Sequence, residues 1–411
     1  MIQKVVIMYI KRALEAVVTE MSSHFPIVLI TGPRQIGKTT LLKQLAEPSR
    51  SYISLDDPLA RNLACTEPLL FLQRYTPPLI IDEIQYAPQL LPILKLHVDQ
   101  QESSGLFWLT GSQTFHLMRE VRESLAGRVG ILPMQGLSNA EIKDESSQPF
   151  LPTKEMLLSR CNQSNQWDLK TVYERIFKGS MPALYKTEQD VERFYASYVD
   201  TYIYRDIKEL TQVADELQFQ RFLVACAART SQMLNYSELA RDVGISSPTA
   251  KKWLSLLVSS GLVVLIEPYY NNLLKRMVKA PNLYFLDTGL CAYLTRWTSS
   301  QALEVSAMSG AFFETFVVSE IIKSYLNYGK RPPIYYYRDS DQKEIDLLIE
   351  ENGVIYPIEI KKSAHPTFKM AKHFNVLNQL NKKVGLGTIV CMSNDLLPLK
   401  EDLWAVPVWM I

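Results

Sequence analysis

One stretch near the amino terminus limits the possible fold more than any other feature of this sequence. Residues 27–43 read IVLITGPRQIGKTTLLK, which places the pattern G-x-x-x-x-G-K-T between a short apolar run and an apolar helical pattern. In this strand–loop–helix setting, the loop directs successive backbone N–H groups at phosphate oxygens. The sequence therefore predicts a nucleoside triphosphate site in this loop.

The residues of the predicted loop have separate roles. The glycines let the backbone curl, Lys38 reaches the β- and γ-phosphates, and the Thr39 hydroxyl holds Mg²⁺. The helix that begins there adds its positive amino-terminal end. The expected nucleotide contacts are Gly32, Pro33, Arg34, Gln35, Ile36, Gly37, Lys38, Thr39 and Thr40.

A second apolar strand is predicted at residues 79–83, which read LIIDE. A parallel sheet delivers the carboxyl ends of its strands to one crevice, so both acids should face the phosphate loop. Asp82 is expected to join the Mg²⁺ shell, and Glu83 is expected to polarise the attacking water. The alternative is an ordinary surface Asp-Glu pair at a strand end.

Two further residues complete the expected catalytic set. Ser112, which follows a predicted strand at residues 106–110, is favoured over Gln113 as the sensor of the γ-phosphate. Arg128 is the candidate arginine finger, aimed at the nucleotide of a neighbouring subunit. A surface or salt-bridged arginine remains an open alternative. The strand–helix alternation up to residue 132 predicts a parallel sheet covered on both faces.

Length and composition limit the rest of the chain. At 411 residues it is too long for one core, and its net charge of +1 restricts any nucleic-acid contact to local patches. The five cysteines are scattered and no apolar run approaches ~20 residues, which is typical of a cytoplasmic protein with no membrane span. Residues 139–170 are rich in polar side chains and predict a linker or exposed lid.

Residues 236–264, YSELARDVGISSPTAKKWLSLLVSSGLVV, have the spacing of a helix-turn-helix followed by an apolar strand. A winged variant is expected, with the recognition helix at residues 250–258. Basic residues on or after that helix favour DNA contact, whereas a packing or protein-contact module is the alternative. These residues are Lys251, Lys252, Lys275, Arg276 and Lys279.

The stretch 335–362, YYYRDSDQKEIDLLIEENGVIYPIEIKK, predicts a hairpin with a two-residue Asn-Gly turn at 352–353. In that register opposed positions sum to 705, so Asp346 faces Glu359 and Glu344 faces Lys361 on one side of the sheet. Pro357 lacks an N–H and fits an edge or a bulge, which leaves the register open.

Facing carboxylates destabilise a strand pair unless a cation lies between them. A Mg²⁺ ion bound by Asp346 and Glu359 would remove the repulsion and activate a water that Lys361 orients or deprotonates. Glu314 or Glu320, on a predicted helix upstream, could complete the metal shell. The form I-D-x(12)-E-x-K is that of the PD-(D/E)xK nuclease fold, and a solvated charged hairpin is the alternative.

Taken together, TGPRQIGKTT, LIIDEIQ, LTGSQ and SLAGRV resemble the ATP-binding proteins of the AAA superfamily of bacteria and archaea. In those proteins a C-terminal domain of unknown function follows the ATPase core. The second half is similar to that domain at residues 204–206, at the Phe-Glu pair 313–314 and in EID…EIK. The resemblance implies ATP and Mg²⁺ binding and ATP hydrolysis, with Lys38, Thr39, Asp82 and Glu83 on matching positions. It implies a nuclease-like C-terminal fold without an established substrate.

The expected fold class is α/β: a P-loop ATPase with a parallel sheet, then a winged-helix module and a mixed α/β nuclease-like domain. The expected boundaries are 1–150, 151–222 for a linker and helical region, 223–297 and 298–411. The expected function is a Mg-dependent ATPase that couples ATP to a DNA-acting nuclease-like domain. The alternatives are an ATP-controlled switch or scaffold with a silent nuclease fold, and a protein-remodelling ATPase. A homo-oligomer or a protein partner is also expected.

Overall fold

The computed structural model describes residues 9–111, 115–146, 148–162, 166–203, 216–270 and 280–411. Several residues singled out above therefore lie outside the described residues. They are Ser112, Gln113, residues 204–206, Lys275, Arg276 and Lys279.

A five-stranded parallel sheet forms the amino-terminal part, in the order β2-β3-β4-β1-β5. Its strands are β1 (Ile27–Thr31), β2 (Ser51–Ser54), β3 (Leu79–Asp82), β4 (Phe107–Gly111) and β5 (Val129–Pro133). The helices of this part are α1 (Glu15–His24), α2 (Lys38–Leu45), α3 (Pro58–Thr66), α4 (Pro68–Arg74), α5 (Leu90–Gln100) and α6 (Phe115–Ser124). The inner strands β1, β3 and β4 are buried throughout, which explains their continuous apolar sequences. The predicted parallel sheet is confirmed.

The prediction of a linker or exposed lid at residues 139–170 is wrong. Two helices, α7 (Asn139–Lys143) and α8 (Lys154–Cys161), lie in this stretch. Ser138 and Glu141 form a capping box at the start of α7, and both side chains are buried. Phe150 is fully buried. Polar composition misled the prediction because Asn139 and Glu141 are buried, with Glu141 paired to Arg12, and because the apolar Phe150 and Leu157 anchor the stretch in the core.

The middle of the chain is mostly helical. Its helices are α9 (Leu169–Lys178), α10 (Ala183–Lys186), α11 (Val191–Tyr198), α12 (Glu216–Ala227), α13 (Tyr236–Val243), α14 (Ser247–Ser259), α15 (Thr288–Leu294) and α16 (Ser300–Glu304). A π-helical turn, Val199–Ile203, extends α11. Three short strands, β6 (Gln232–Met233), β7 (Val263–Ile266) and β8 (Asn282–Phe285), form a separate antiparallel sheet in the order β6-β8-β7.

The predicted helix-turn-helix spacing reflects local capping. Asn235 accepts backbone N–H bonds at the start of α13, and Gly244 ends that helix with a φ of 79°. Ser246 then caps α14, with a proline in its first turn. Lys251 and Lys252 lie exposed on α14. The two predicted helices are therefore confirmed.

The carboxyl-terminal part combines a long helix, α17 (Ser309–Leu326), with a mixed sheet in the order β14-β15-β13-β11-β10-β9. The short strand β12 pairs with β11 outside this path. The strands are β9 (Ile334–Arg338), β10 (Glu344–Glu351), β11 (Val354–Ile360), β12 (Lys383–Val384), β13 (Gly387–Cys391), β14 (Leu397–Lys400) and β15 (Leu403–Pro407). The predicted hairpin register holds from Glu351↔Val354 to Leu347↔Ile358.

Pro357 lies inside this sheet without breaking it. It pairs with Leu348 on β10, while on the other side β12 covers residues 354–355 and β13 begins opposite Ile358. Pro357 therefore falls in the interval between two partner strands, where its missing N–H interrupts no ladder. This gap accommodates Pro357, instead of the edge position or bulge that the sequence analysis expected.

A single hydrophobic core connects the three parts of the chain. It includes Leu14 beside the parallel sheet, Tyr173 on α9, Phe313 on α17 and Met410 near the carboxyl end. Buried apolar residues of this kind supply most of the folding free energy. No helix in the described ranges is long and apolar enough to span a membrane.

Candidate nucleotide site and candidate acidic site

The phosphate loop has the close backbone approach that its glycines predict. Gly32 has a φ of 147°, and a Cβ at this position would lie 2.2 Å from the carbonyl oxygen of Met134. Gly37 has a φ of 95° and precedes α2. Lys38 is buried, and its Nζ donates to the carbonyl oxygens of Gly32 at 3.0 Å and Pro33 at 2.8 Å. A positive charge is thus held inside the loop.

Arg12 supports the phosphate loop through hydrogen bonds to its backbone, and the sequence analysis did not identify this residue. Its Nη1 donates to the carbonyl oxygen of Ile36 at 2.8 Å, and its Nη2 donates to that of Gln135 at 2.7 Å. Its Nε bonds to Glu141 at 2.8 Å, and both side chains are 3% exposed. A planar guanidinium suits this three-way contact, which a lysine could not reproduce.

Asp82 joins the loop to the neighbouring strands. Its Oδ1 accepts from Thr39 Oγ1 at 2.7 Å and from Thr110 Oγ1, and its Oδ2 accepts from the Tyr52 hydroxyl at 3.0 Å. Burial, with the charge of Asp82, raises the pKa of Tyr52 to about 12. A buried carboxylate beside a threonine hydroxyl is a set of hard oxygen ligands of the kind Mg²⁺ binds. The two residues therefore fit the predicted metal role.

Glu83 is held in a defined orientation at the end of β3. Its backbone is left-handed, with a φ of 59°, and its N–H donates to Thr110 Oγ1 at 3.1 Å. Gln85 donates to its carboxylate, and Arg34 Nη1 lies 4.0 Å from its Oε1. The carboxylate borders the same cavity as Lys38 and Thr39, as a water-polarising group requires.

That cavity, of about 820 Å³, is bordered on one side by the phosphate loop and on the other by α10 and α11. The Tyr198 hydroxyl donates to the carbonyl oxygen of Arg34 at 3.4 Å, which fixes α11 against the loop. Lys186 and Arg193 line the cavity and bring positive charge to it. Sequence reasoning missed both, because no local pattern distinguishes them from other charged residues of a helical region.

Arg128 lies far from this cavity along the sheet. Its carbonyl oxygen accepts from the Ile27 N–H at the amino end of β1, whereas the phosphate loop follows the carboxyl end of β1. Its guanidinium bonds to Asp99, with Nη2 3.0 Å from Oδ2. Five residues of extended strand separate the two ends by about 16 Å. Arg128 therefore does not reach the nucleotide loop of its own chain, and its role in a neighbouring subunit stays a prediction.

The hairpin brings together the acids and the lysine that the sequence predicts, but in a different arrangement. The strand ladder ends at Leu347↔Ile358, and Asp346 Oδ2 accepts from the Ile360 N–H at 2.7 Å. Lys361 Nζ lies 3.1 Å from Asp346 and 2.8 Å from Glu359. An ammonium group thus bridges the two carboxylates between which Mg²⁺ was expected.

Glu344 lies apart from this bridge. Instead of pairing with Lys361, as the register predicted, it bonds to Arg338 Nη1 at 3.3 Å. The ladder between β9 and β10 shifts between Ile345 and Leu348. That irregularity ends the simple alternation on which the prediction rested.

Glu314 is the third acid of the cluster. Its Oε1 accepts from the Tyr284 hydroxyl at 2.7 Å. Burial, and then the negative charge of Asp346, raises the pKa of Glu314 to about 8. The same two causes raise the pKa of Glu359 to about 7. Glu314 and Glu359 therefore keep their protons to higher pH than ordinary carboxyl groups, which reduces the negative charge around Lys361.

The acids do not form a ready metal site. In the ranges that the structure describes, no group of three or more His, Cys, Asp or Glu side chains is placed to hold a metal ion. The expected shell of Asp346, Glu359 and Glu314 is thus not assembled, because Lys361 lies between two of its members. Glu320, the other helix acid considered, points elsewhere: it bonds to Lys323 and to the Asn139 N–H.

Comparison with known proteins identifies the first part of the chain. Residues 24–143 match a family described as an AAA domain, and this range contains the phosphate loop, Asp82 and Glu83. This region is an AAA-type P-loop ATPase domain. Residues 169–301 and 309–411 of the chain match two domains of unknown function, DUF8612 and DUF4143.

Some related proteins match most of the chain, and not the ATPase domain alone. Uncharacterised proteins of Mycobacterium bovis and Mycobacterium tuberculosis are each 27% identical over 386 residues, covering 93% of this chain and 80% of theirs. A solved Walker-type ATPase of Pyrococcus abyssi is 14% identical, with a TM-score of 0.45 over 68% of this chain and 94% of its own. A RuvB variant of Thermotoga maritima is 18% identical, with a TM-score of 0.27 over 61% and 85%. Both TM-scores are below 0.5, so nothing further rests on these two structures.

Proposed function

We propose that the chain is a Mg²⁺-dependent ATPase whose nucleotide state acts on a C-terminal nuclease-like domain that engages DNA. The observation that carries this proposal is the position of α17. Near its amino end Glu314 belongs to the acidic cluster, and further along Glu320 and Lys323 bond to the ATPase domain. One helix therefore contacts both the acidic cluster and the ATPase domain.

The ATPase residues divide the work of phosphoryl transfer. Lys38 and the loop N–H groups would bind the phosphates, and Thr39 with Asp82 would hold Mg²⁺, which neutralises phosphate charge when bound. Glu83 would orient the attacking water. Lys186 and Arg193, across the cavity, would add positive charge beside the phosphates. Ser112 keeps its proposed role as a γ-phosphate sensor on sequence grounds alone.

A continuous chain of polar contacts supports coupling between the two sites. Glu320 Oε2 accepts from the Asn139 N–H at 2.8 Å, and Lys323 Nζ donates to the Leu137 carbonyl oxygen at 3.2 Å. Two residues beyond Asn139, Glu141 binds Arg12, which in turn holds the phosphate loop. Movement of the loop would therefore change the contacts that position α17.

The DNA-acting part of the proposal rests on two features. The helices α12, α13 and α14 with the sheet β6-β8-β7 support a winged-helix module. Lys251 and Lys252 are exposed on the second helix of the turn, where phosphate contacts would be made. The hairpin of β10 and β11, with Asp346, Glu359 and Lys361 on it, supports the nuclease-like fold.

A second candidate is a switch or scaffold with a silent nuclease-like fold. The bridge of Lys361 between Asp346 and Glu359 favours it, because the ammonium already compensates the two carboxylates. In that case ATP would control assembly with a protein partner or a second copy, and the acidic cluster would serve stability alone.

Nuclease assays on purified full-length protein decide between these candidates. Linear, supercoiled and branched DNA are incubated with Mg²⁺ or Mn²⁺, with and without ATP. The variants are Asp346→Ala and, as a matched control, Glu401→Ala, which removes an exposed acid outside the cluster. Cleavage lost only in Asp346→Ala supports the nuclease. Absence of cleavage by the unmodified protein, with ATPase activity intact, overturns it in favour of the scaffold.

The coupling is tested separately through ATP binding. Glu320→Gln weakens the contact between α17 and the Asn139 N–H while leaving every proposed ATPase residue in place. The proposal expects a changed affinity for ATP, measured by calorimetry. An unchanged affinity would contradict coupling through α17.

A further inference from the structure

Tyr52 connects the edge strand of the parallel sheet to the carboxylate that is proposed to hold Mg²⁺. Its hydroxyl donates to Asp82 Oδ2 at 3.0 Å. Tyr52 lies on β2, which pairs with β3 and forms one edge of the described sheet. The sequence analysis did not identify this residue, because no phosphate-loop motif extends to β2.

The strand register explains why a tyrosine at this position reaches Asp82. Tyr52 pairs with Ile80, which is two residues before Asp82 on β3. Side chains alternate along a strand, so Ile80, Asp82 and Tyr52 share one face of the sheet. Two residues of parallel strand advance by about 6.6 Å, a distance that the long tyrosine side chain spans. Serine or threonine at this position would be too short to reach the carboxylate.

Three hydroxyl groups hold the Asp82 carboxylate without neutralising it. Thr39 and Thr110 donate to Oδ1, whereas among the described residues Tyr52 alone donates to Oδ2. Within the described ranges no lysine or arginine pairs with Asp82, in contrast to the acidic cluster, where Lys361 bridges two carboxylates. Asp82 is also buried, so solvent screens it little. The carboxylate is therefore oriented while its charge stays available to a cation.

The Tyr52 ring is held in place as well as its hydroxyl. Lys43 Nζ lies 3.5 Å from the centre of the ring, which is a favourable contact between a cation and an aromatic face. Lys43 lies on α2, the helix that begins with Lys38 and Thr39. Tyr52 therefore has a defined position relative to both the phosphate loop and Asp82.

We propose that Tyr52 is a positioning residue for the Mg²⁺ site, because its hydroxyl fixes the orientation in which Asp82 meets the metal ion. Without this hydroxyl, Oδ2 would lose its only donor among the described residues, and the carboxylate could turn about the bonds that hold Oδ1. Tyr52 acts through Asp82 and takes no part in a chemical step. The inference rests on the proposed function, since Thr39 and Asp82 are the metal-binding residues of that proposal.

Calorimetry on the full-length protein separates the metal ion from the nucleotide. The dissociation constant of the non-hydrolysable analogue AMP-PNP is measured in Mg²⁺ and in EDTA, and the ratio of the two values gives the contribution of Mg²⁺ to affinity. Tyr52→Phe removes the hydroxyl and keeps the ring that Lys43 contacts. Tyr75→Phe is the matched control, since it removes a hydroxyl from a tyrosine of the same domain that packs against Phe71.

We expect Tyr52→Phe to reduce the Mg²⁺ contribution about tenfold, because removing a residue that orients a metal ligand commonly costs about 10–100-fold in affinity. The affinity in EDTA should not change, since Lys38 and the loop N–H groups stay in place. Tyr75→Phe should follow the unmodified protein in both conditions. ATP hydrolysis by Tyr52→Phe should be slow at limiting Mg²⁺ and recover in excess Mg²⁺, which a merely structural role would not produce.

Two results would overturn this inference alone. The first is an equal Mg²⁺ contribution in Tyr52→Phe and in the unmodified protein, which would show that the hydroxyl does not serve the metal site. The second is a larger contribution in Tyr52→Phe, which would show that the hydroxyl competes with Mg²⁺ for Asp82. If the unmodified protein itself gains no affinity from Mg²⁺, the proposed metal role of Thr39 and Asp82 is overturned together with the inference. The two failures are therefore distinguishable.

Discussion

Replacing Glu314 with glutamine should make the stability of the protein less dependent on pH. The pKa of Glu314 is raised to about 8, mainly by burial and then by the charge of Asp346. The folded chain therefore keeps a proton that the unfolded chain loses near its ordinary pKa of 4.5. Protonation of Glu314 contributes stability that is fully present below that value and is lost as pH rises through about 8.

The size of the effect follows from the shift. A rise in pKa from 4.5 to about 8 corresponds to about 5 kcal/mol at 1.36 kcal/mol per unit. Glu314 keeps partial exposure, so solvent screens part of the effect, and about half of this, roughly 2–3 kcal/mol, is expected between pH 5 and 8. Glutamine is neutral at every pH in this range and can still accept a hydrogen bond from the Tyr284 hydroxyl. The Glu314→Gln variant should therefore not lose this part of its stability as the pH rises.

Thermal unfolding at pH 5, 6, 7 and 8, at constant ionic strength and without nucleotide, measures this. The Tm of the unmodified protein should fall by a few °C more than that of Glu314→Gln across this range. Glu401→Gln, which changes an exposed acid, serves as the control and should follow the unmodified protein. Parallel pH curves for the unmodified protein and Glu314→Gln would refute the reasoning.

Three further predictions concern the ATPase domain. Lys38→Ala should abolish ATP binding because the phosphates lose their main cationic partner, and unchanged affinity by calorimetry would contradict this. Arg12→Lys keeps the charge but loses the fork that holds Ile36 and Glu141, so ATP affinity should fall at least about tenfold and Tm should drop. If affinity stays the same, Arg12 does not position the loop. Arg128→Ala should slow hydrolysis without weakening ATP binding, and turnover per subunit should rise with protein concentration. A flat concentration profile would count against a finger supplied by a neighbouring subunit.

Local chemistry made much of the fold predictable. The phosphate loop needs its glycines and lysine in consecutive positions, and the Asn-Gly turn fixes the hairpin register by itself, as the pairing of Leu347 with Ile358 confirms. The cap at Ser246 likewise acts within one helical turn. For the preceding helix the sequence predicted a cap at Ser237, whereas Asn235 caps it. Each of these signals lies within a few residues of the structure that it determines.

The contacts that sequence reasoning missed join distant residues. Arg12 meets Glu141 across 129 positions, and Glu320 meets Asn139 across 181. A single chain gives no periodicity or motif for such pairs, because the partners are selected by tertiary packing. For the same reason the sequence did not reveal Arg193, which lies across the nucleotide cavity from the phosphate loop. Lys361 was placed in the right cluster, but its ion pairs with both Asp346 and Glu359 were not foreseen, because the ladder ends before Asp346.

The shared core has a consequence for any attempt to divide this protein. Val28, Tyr173 and Phe313 belong to one apolar cluster, although the three family matches place them in separate pieces. Excising a piece at those boundaries would expose apolar faces that now cover one another, together with the buried pair Glu320 and Lys323. A chimera with a related chain should therefore exchange all the pieces that form this core together. If only one piece were exchanged, its apolar face would pack against a surface of the wrong shape.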